Sequence, residues 1–182
     1  ESLMKSKLQY NQSPLYVVGA KMKLLTPIHA SEGYYYIDLG FETNNSPFEQ
    51  FIRSLDISGI NHILENISAW YGDHADLTLT QIENEYVPTI KNGLNITDND
   101  CPPIKLIIKS KVNSVEFFDQ DEVSISYTLL KPGYEVTPLF TGISVCRNDR
   151  NIYLEWNIRQ LKVDLPEESH TLSECLLYDS DT

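Results

Sequence analysis

The stretch TGISVCRNDRNIYLEWNIRQLKV, residues 141–163, predicts two antiparallel strands joined by a tight turn at RNDRN. In its second half apolar residues alternate with polar ones, which is the period of a half-buried strand. The alternating apolar residues are Ile152, Leu154, Trp156 and Ile158. Because Trp156 is in phase with aliphatic side chains, we expect its ring in the core. The stretch therefore predicts strands at 140–147 and 151–163.

Four other segments have strand patterns of the same kind. They are PLYVVGAKMKLLTP at 14–27, GYYYIDLGFET at 33–43, IKLIIKSKV at 104–112 and EVSISYTLLK at 122–131. In the first of them, alternation predicts that Tyr16, Val18, Ala20, Met22 and Leu24 share the inner face. HASEG, between the first two segments, predicts a hairpin connection.

A helical segment interrupts these strands. Ser46 has the position of an N-cap, Pro47 that of the first helical residue, and Glu49 completes a capping box. Helical spacing of apolar residues then extends to Trp70 and Tyr71, and Ser58-Gly59 is a place where the helix breaks in two. A shorter helix is predicted near 79–91, so the helical insert covers about 46–92.

The order of these elements predicts a mainly β fold with a helical insertion, an α+β architecture. Short antiparallel strands around one insert are typical of an OB-like barrel or of a compact sandwich, and we favour the OB-like barrel. We expect an N-terminal arm at 1–13, one domain at 14–163 and an acidic C-terminal tail at 164–182.

The charge of the chain is uneven. The 182 residues include 26 acids and 14 bases, for a net charge of −12. Residues 164–182 contain six acids and neither Lys nor Arg, whereas residues 101–163 contain eight bases and seven acids. We therefore predict a near-neutral body with local clusters of bases. The tail suits either a segment that competes for the basic surface and recruits a protein partner, or a solvated terminus.

The sequence has none of the common enzyme motifs: HExxH, GxGxxG, the P-loop pattern and GxSxG are all missing. Asp73, His74 and Asp76 are close in sequence, but their spacing matches no metal-ligand motif, and a solvated helix end explains them. We therefore predict no catalytic residue, no metal site and no cofactor. The odd count of cysteines (Cys101, Cys146 and Cys175) favours a reducing compartment.

Lysines and tyrosines share the outer phase of the predicted strands. If 14–27 and 104–112 belong to one sheet, they form a surface on which cations follow phosphates and rings stack on bases. The residues predicted to bind nucleic acid on this basis are Lys21, Lys23, Tyr34, Tyr36, Lys105, Lys109, Lys111, Arg147 and Arg159. The same pattern is also typical of a solvated sheet face, where lysines prevent aggregation and tyrosines pair across strands.

The strand pairs LYVVGAKMKLL and YYYIDLGF, the capped helix, PPIKLIIKSKV and the closing hairpin together resemble a known family. It comprises the single-stranded DNA-binding proteins of large eukaryotic DNA viruses, such as the asfarvirus protein. The nearest matches are Pro103-Ile104-Lys105 and Leu161-Lys162-Val163. The resemblance implies an OB-like barrel with an inserted helix. It also implies sequence-independent protection of single strands during viral replication, without catalysis, in the host cytoplasm or at the viral replication site.

Two other hypotheses remain open from the sequence. The acidic balance, the tyrosine-rich strands and the tail also suit a structural or protein-interaction module, such as a minor virion component, that binds no nucleic acid. Four Asn-x-Ser/Thr triplets, at Asn11, Asn44, Asn66 and Asn95, suit a secreted, glycosylated domain. The composition favours an intracellular protein without a membrane segment, and it is compatible with a homo-oligomer.

Overall fold

A computed structural model describes residues 3–7, 9–10, 13–41, 46–92 and 104–166 of the chain. The strands are β1 (Met4–Lys7), β2 (Gln9–Tyr10), β3 (Ser13–Pro14), β4 (Tyr16–Val18), β5 (Met22–Leu24), β6 (His29–Ser31), β7 (Tyr34–Phe41), β8 (Tyr86–Val87), β9 (Ile90–Asn92), β10 (Ile104–Lys111), β11 (Glu116–Phe118), β12 (Glu135–Arg147) and β13 (Ile152–Asp164). The helices are α1 (Pro47–Glu65), α2 (Ile67–Tyr71) and α3 (Leu79–Glu85), with short 3₁₀ turns at Val112–Ser114 and Tyr127–Leu129. The predicted loop around 94–103, Cys101, Cys175 and residues 167–182 of the predicted tail lie outside the described residues.

The long hairpin of β12 and β13 lies at the centre of the sheet, with other strands paired to both of its edges. The two strands pair along their whole length, with register shifts after Leu139 and after Thr141. The other edge of β12 receives β1, β4 and β5 in succession. The other edge of β13 receives β8 and β11, both parallel to it. From β5 the sheet continues through β7 and β10 to β9.

The sheet curls until its two arms meet. Four antiparallel pairings lead from β10 through β7, β5 and β12 to β13, so β10 and β13 run in the same direction. Where they approach, the Ile158 N–H donates to Ser110 Oγ at 2.8 Å, and Ser110 is fully buried. The result is a curled half-barrel with a helical insert, which confirms the predicted mainly β, OB-like fold.

The strand alternation of β7 and β13 fills the core as predicted. Tyr35, Ile37 and Leu39 are buried while their neighbours Tyr34 and Tyr36 are half-exposed. In β13 every second residue from Ile152 to Ile158 is buried, and these include Trp156. Phe140 packs edge-on against the Trp156 ring, with 5.1 Å between ring centroids. The hairpin therefore supplies the centre of the hydrophobic core.

Helix α1 is anchored by a buried carboxylate. Its N-cap is Ser46, whose hydroxyl accepts the Glu49 N–H at 3.1 Å, as predicted. One face buries Ile52 and Ile63. On the same face the Asp56 carboxylate accepts the Tyr86 hydroxyl at 2.7 Å and both the N–H and the hydroxyl of Thr89. These bonds satisfy a group that would otherwise be costly to bury.

Two predictions about the insert were wrong. Helix α1 runs unbroken through Ser58-Gly59, because Gly59 is buried where α1 lies close to Leu154 and Val145. The helix predicted at 79–91 ends at Glu85 and continues as β8 and β9. Tyr86 and Thr89 are bound to Asp56, and Pro88 cannot donate a helical hydrogen bond, so the chain becomes extended there.

The prediction of a strand at 122–131 was also wrong. That segment forms one isolated bridge, from Phe118 to Ser124, and then a 3₁₀ turn. The buried Asp119 carboxylate accepts the N–H groups of Asp121 and Val123, and Glu122 has a φ of +64°. Such local bonds between side chain and backbone compete with a strand ladder.

The strand predicted at 14–27 is divided, and its phase reverses. Val18 lies opposite Leu139 and Met22 opposite Val136, so β4–β5 has one residue more than β12 across the same interval. An extra residue turns the following side chains to the other face. Met22 and Leu24 are therefore buried as predicted, whereas the predicted core residue Val18 is 70% exposed.

We expect Ser110→Ala to destabilise the fold by about 1–3 kcal/mol, because the buried Ile158 N–H loses its acceptor. Urea unfolding monitored by circular dichroism measures the change. Ser68→Ala, at an exposed position of α2, is the matched control and should stay within about 0.5 kcal/mol of the parent. Equal stability of the two variants would show that this bond does not hold the half-barrel closed.

Candidate nucleic-acid interface

The outer faces of β7 and β10 bring tyrosines and lysines together. In the antiparallel register Lys109 lies opposite Tyr36 and Lys111 opposite Tyr34, so all four side chains are on one face. Further along, Gly40 lies opposite both Lys105 of β10 and Lys23 of β5. The segments 14–27 and 104–112 thus contribute strands to the same sheet, which the sequence left open.

Lys109 lies over both exposed rings. Its ammonium is 4.2 Å from the centroid of Tyr34 and 5.4 Å from that of Tyr36. A hydrogen bond with Tyr36 is the main cause that raises the pKa of Lys109 above its ordinary value. The ammonium is therefore charged at neutral pH, and it is attracted to the ring faces through cation–π interactions.

A groove runs between this face and the outer face of β13. Two adjoining concavities, of about 480 and 340 Å³, share Lys5, Lys111, Glu155 and Asn157. We call them together the cationic groove. Its principal lining side chains are Lys5, Lys7, Tyr34, Lys109, Lys111, Tyr153, Glu155, Asn157 and Arg159. Five of these are cationic and one is a carboxylate, so the groove is positive although the chain is acidic.

Lys5 of β1 neutralises the Glu155 carboxylate of the cationic groove. Lys5 donates to Glu155 Oε1, and Asn157 Nδ2 donates to the same oxygen at 3.2 Å. Burial alone would raise the pKa of Glu155, but the hydrogen bonds from Lys5 and Asn157 outweigh it, and the pKa is lowered. Burial would likewise lower the pKa of Lys5, yet its bond to Glu155 raises it. The two charges therefore cancel within the groove.

The remaining predicted residues have other contacts. Lys21 forms ion pairs with Glu135 and Asp164, and its hydrogen bond to Asp164 is the first cause of its raised pKa. Lys105 is 3.9 Å from Asp38, and Arg159 is 3.6 Å from Glu116. These three cations have carboxylate partners on the surface.

Arg147 lies away from the cationic groove. Its Nη1 donates to the Trp70 carbonyl at 3.0 Å, and its guanidinium stacks 3.8 Å from the Tyr71 ring centroid. The Arg147 side chain thus connects α2 to the hairpin of β12 and β13. Since it does not line either concavity, its predicted role at a phosphate stays a prediction without geometric support.

Lys5, Lys7 and Tyr153 line the groove and were not identified from the sequence. The alternation that puts Trp156 inward also puts Tyr153 outward, so that signal was present. MKSK, residues 4–7, has too few apolar residues to predict a strand. The position of Lys5 and Lys7 is set by pairing of β1 with residues 144–147 of β12, which local sequence does not indicate.

The described residues hold no group of three His, Cys, Asp or Glu side chains that could bind a metal ion. Asp73, His74 and Asp76 are separately exposed after α2. The Cys146 thiol is fully buried, and burial is the main cause that raises its pKa to about 11, so it is a poor nucleophile. None of the described helices has the length and apolar character needed to cross a bilayer.

Solved structures with the same architecture exist, although no family model and no curated protein sequence matches the chain. One is the single-stranded DNA-binding protein from bacteriophage Enc34, at 12% identity and a TM-score of 0.54, with 98% of this chain and 100% of that chain covered. Its complex with single-stranded DNA matches at 10% identity and a TM-score of 0.55, over 88% of this chain and 91% of that one.

Another is gp2.5, a single-stranded DNA-binding protein encoded by bacteriophage T7. It matches at 10% identity and a TM-score of 0.55, over 90% of this chain and 97% of that one. The chain shares their fold. At such low identity the likeness extends to the architecture alone, and these neighbours are phage proteins, so the expected kinship with large eukaryotic DNA viruses stays a prediction.

The Lys5–Glu155 pair predicts a pH-dependent difference between the parent and Glu155→Gln. Because the pKa of Glu155 is lowered by folding, its stabilisation is present above the ordinary value of 4.5 and is lost as the pH falls through the lowered pKa. The parent should therefore be the more stable protein at pH 7, and the gap should close on acidification. Urea unfolding at several pH values measures it. Glu83→Gln, at an exposed position of α3, should show no such trend.

Proposed function

We propose that this chain is a non-catalytic protein that binds single-stranded DNA without sequence preference and acts in viral DNA replication. The observation that carries the proposal is the cationic groove, in which lysines lie beside tyrosine rings on a preformed surface. Cations that follow the backbone and rings that stack on bases are the two parts of a sequence-tolerant single-strand site.

Each side chain of the groove has a defined part in this proposal. Within the described residues, Lys7, Lys109 and Lys111 have no carboxylate within ion-pair distance, so their charge is available for phosphates. Tyr34 and Tyr153 supply rings that line the groove, and Tyr36 supplies a further ring beside Lys109. When a base stacks on Tyr34, the Lys109 ammonium moves off the ring and toward the phosphate of the same nucleotide.

The acidic balance restricts binding to the groove. Negative charge over the rest of the surface repels phosphates that do not enter the cationic groove. A duplex is wider and stiffer than a single strand, and its bases are not free to reach the tyrosines. We therefore expect preference for single strands and strong dependence on salt.

The structural neighbours support this proposal, because the proteins of this fold from bacteriophages Enc34 and T7 are single-stranded DNA-binding proteins. We extend it to a viral, intracellular protein of the kind found in large eukaryotic DNA viruses. In this proposal the acidic segment 164–182 is the site for a protein partner. Arg159 contacts phosphates inside the groove, and Lys21, Lys23 and Lys105 extend the phosphate track beyond it.

Replacing both Lys109 and Lys111 with Ala should weaken binding to labelled oligo-dT and to mixed-sequence single strands alike. Because a single strand releases about 0.7 counterion per neutralised phosphate, the slope of log K against log salt should fall by about one to one and a half. Fluorescence anisotropy at several salt concentrations, with a duplex of equal length for comparison, gives both quantities.

The matched control is Lys131→Ala, which removes one exposed lysine that does not line the groove. It should leave the affinity and the salt slope nearly unchanged. If the parent does not bind at low salt, the proposed function is refuted. If the parent binds and the double variant binds equally well, the DNA lies elsewhere on the protein.

A protein-interaction module is the second candidate function, and exposed apolar side chains favour it. Val18, Val123 and Leu129 are each more than half exposed. A concavity of about 450 Å³ beside Val18 is lined by Phe118 of β11, by Pro138 of β12 and by further residues of β12 and β13. Uncovered apolar area of this kind marks contact sites between proteins.

For this second candidate we expect stable self-association of the parent and its loss in Val18→Lys, measured by light scattering coupled to size-exclusion chromatography. The module hypothesis also requires that the parent is not retained on single-stranded DNA. A monomer at all concentrations that is retained on DNA would exclude it.

A further inference from the structure

A third concavity continues the cationic groove at the end remote from Lys7. It has a volume of about 340 Å³ and shares Lys109, Tyr153 and Glu155 with the groove. We call it the end pocket. The side chains that belong to its walls are Val87, Pro88, Thr89, Ile107, Asn151 and Tyr153.

The end pocket is apolar where the cationic groove is charged. Ile107 projects from the outer face of β10, between Lys105 and Lys109, and is 47% exposed. Val87, the last residue of β8, and Pro88, in the link to β9, also line the pocket. Ile107 thus adds apolar area to the outer face between two lysines, in the same pocket as Val87 and Pro88.

The walls are held in place without a ligand. The Thr89 hydroxyl donates to Asp56 at 2.6 Å and accepts the Trp156 indole N–H at 3.4 Å. Val87 lies in β8, whose parallel pairing with β13 places it opposite Tyr153. The pocket is therefore preformed, which reduces the entropy lost when it is filled.

Asn151 supplies a polar group at the rim. Its backbone N–H donates to Asn148 Oδ1 at 2.8 Å and its carbonyl accepts the Asn148 N–H at 3.0 Å, so its position in the turn is fixed. Its side-chain amide has no hydrogen-bond partner among the described residues. An amide presents both donors and an acceptor, which is what the edge of a nucleobase can pair with.

We propose that the end pocket is a nucleobase subsite, which takes one unstacked base of a single strand lying in the cationic groove. The occupant follows from continuity and charge: Lys109 and Tyr153 line both spaces, so a strand whose phosphates contact Lys109 places its next base at the apolar walls. Ile107 and Pro88 contact the faces of the base, and Asn151 contacts its edge. This inference rests on the proposed function.

The test uses two labelled oligomers of equal length, oligo-dT and an abasic deoxyribose-phosphate chain, with the full-length protein. We expect Ile107→Ser to weaken binding of oligo-dT about five- to tenfold, a loss of the order given by one base contact. The abasic chain, which offers phosphates alone, should bind the parent and Ile107→Ser equally. Ile57→Ser, at a 60% exposed position of α1, is the matched control and should change neither affinity.

The outcomes separate the two proposals. If Ile107→Ser binds oligo-dT as tightly as the parent, or loses the same factor with both oligomers, the subsite is refuted while the groove stands. If the parent binds neither oligomer at low salt, the groove itself is refuted. Asn151→Ala should weaken binding of oligo-dT and leave binding of the abasic chain unchanged. Unchanged binding of oligo-dT would remove Asn151 from the subsite.

Discussion

The hydrogen bond between Ser110 of β10 and Ile158 of β13 sets how closely these two strands approach. The shape of the sheet, and of the grooves on it, depends on this bond. These parallel strands are not joined by a backbone ladder within the described residues, and the bond from Ile158 N–H to the buried Ser110 hydroxyl holds them at that distance. A fuller ladder would bring β10 against β13 and eliminate the space between them. A wider separation would expose the core around Trp156. The cationic groove and the end pocket exist because the barrel is closed only in part.

The positive charge of the cationic groove is a local property of the surface and does not follow the net charge of the chain. The net charge of −12 would suggest a surface that repels nucleic acid. Yet the carboxylate in the cationic groove, Glu155, is paired with Lys5, and Lys109 and Lys111 stand on the opposite wall. Because charges beyond a Debye length are largely screened, a groove a few residues wide can be positive on an acidic protein. Net charge is therefore a weak guide to the charge of the groove.

The sequence was sufficient for what depends on short-range periodicity. Alternation along 33–43 and 104–112 brought Tyr34, Tyr36, Lys109 and Lys111 to one face, and the Ser46 cap located the start of α1. The sequence did not predict the features that depend on which distant segments pack or pair together. The extra residue between Val18 and Met22 reverses the phase of a strand that looks continuous, and Gly59 continues a helix because of what lies close to it.

The same distinction between local periodicity and long-range pairing explains which residues of the cationic groove could be predicted. Tyr153 could have been identified, because its phase follows from that of Trp156. Lys5 and Lys7 could not, since their strand is defined by β12, far along the chain. Lys5 and Glu155 are 150 positions apart. During synthesis, then, the groove stays incomplete until the last hairpin has emerged, and contacts of such long range are slow to form. A nascent chain lacks the cationic groove that the finished protein has, so its final fold and this groove arise together.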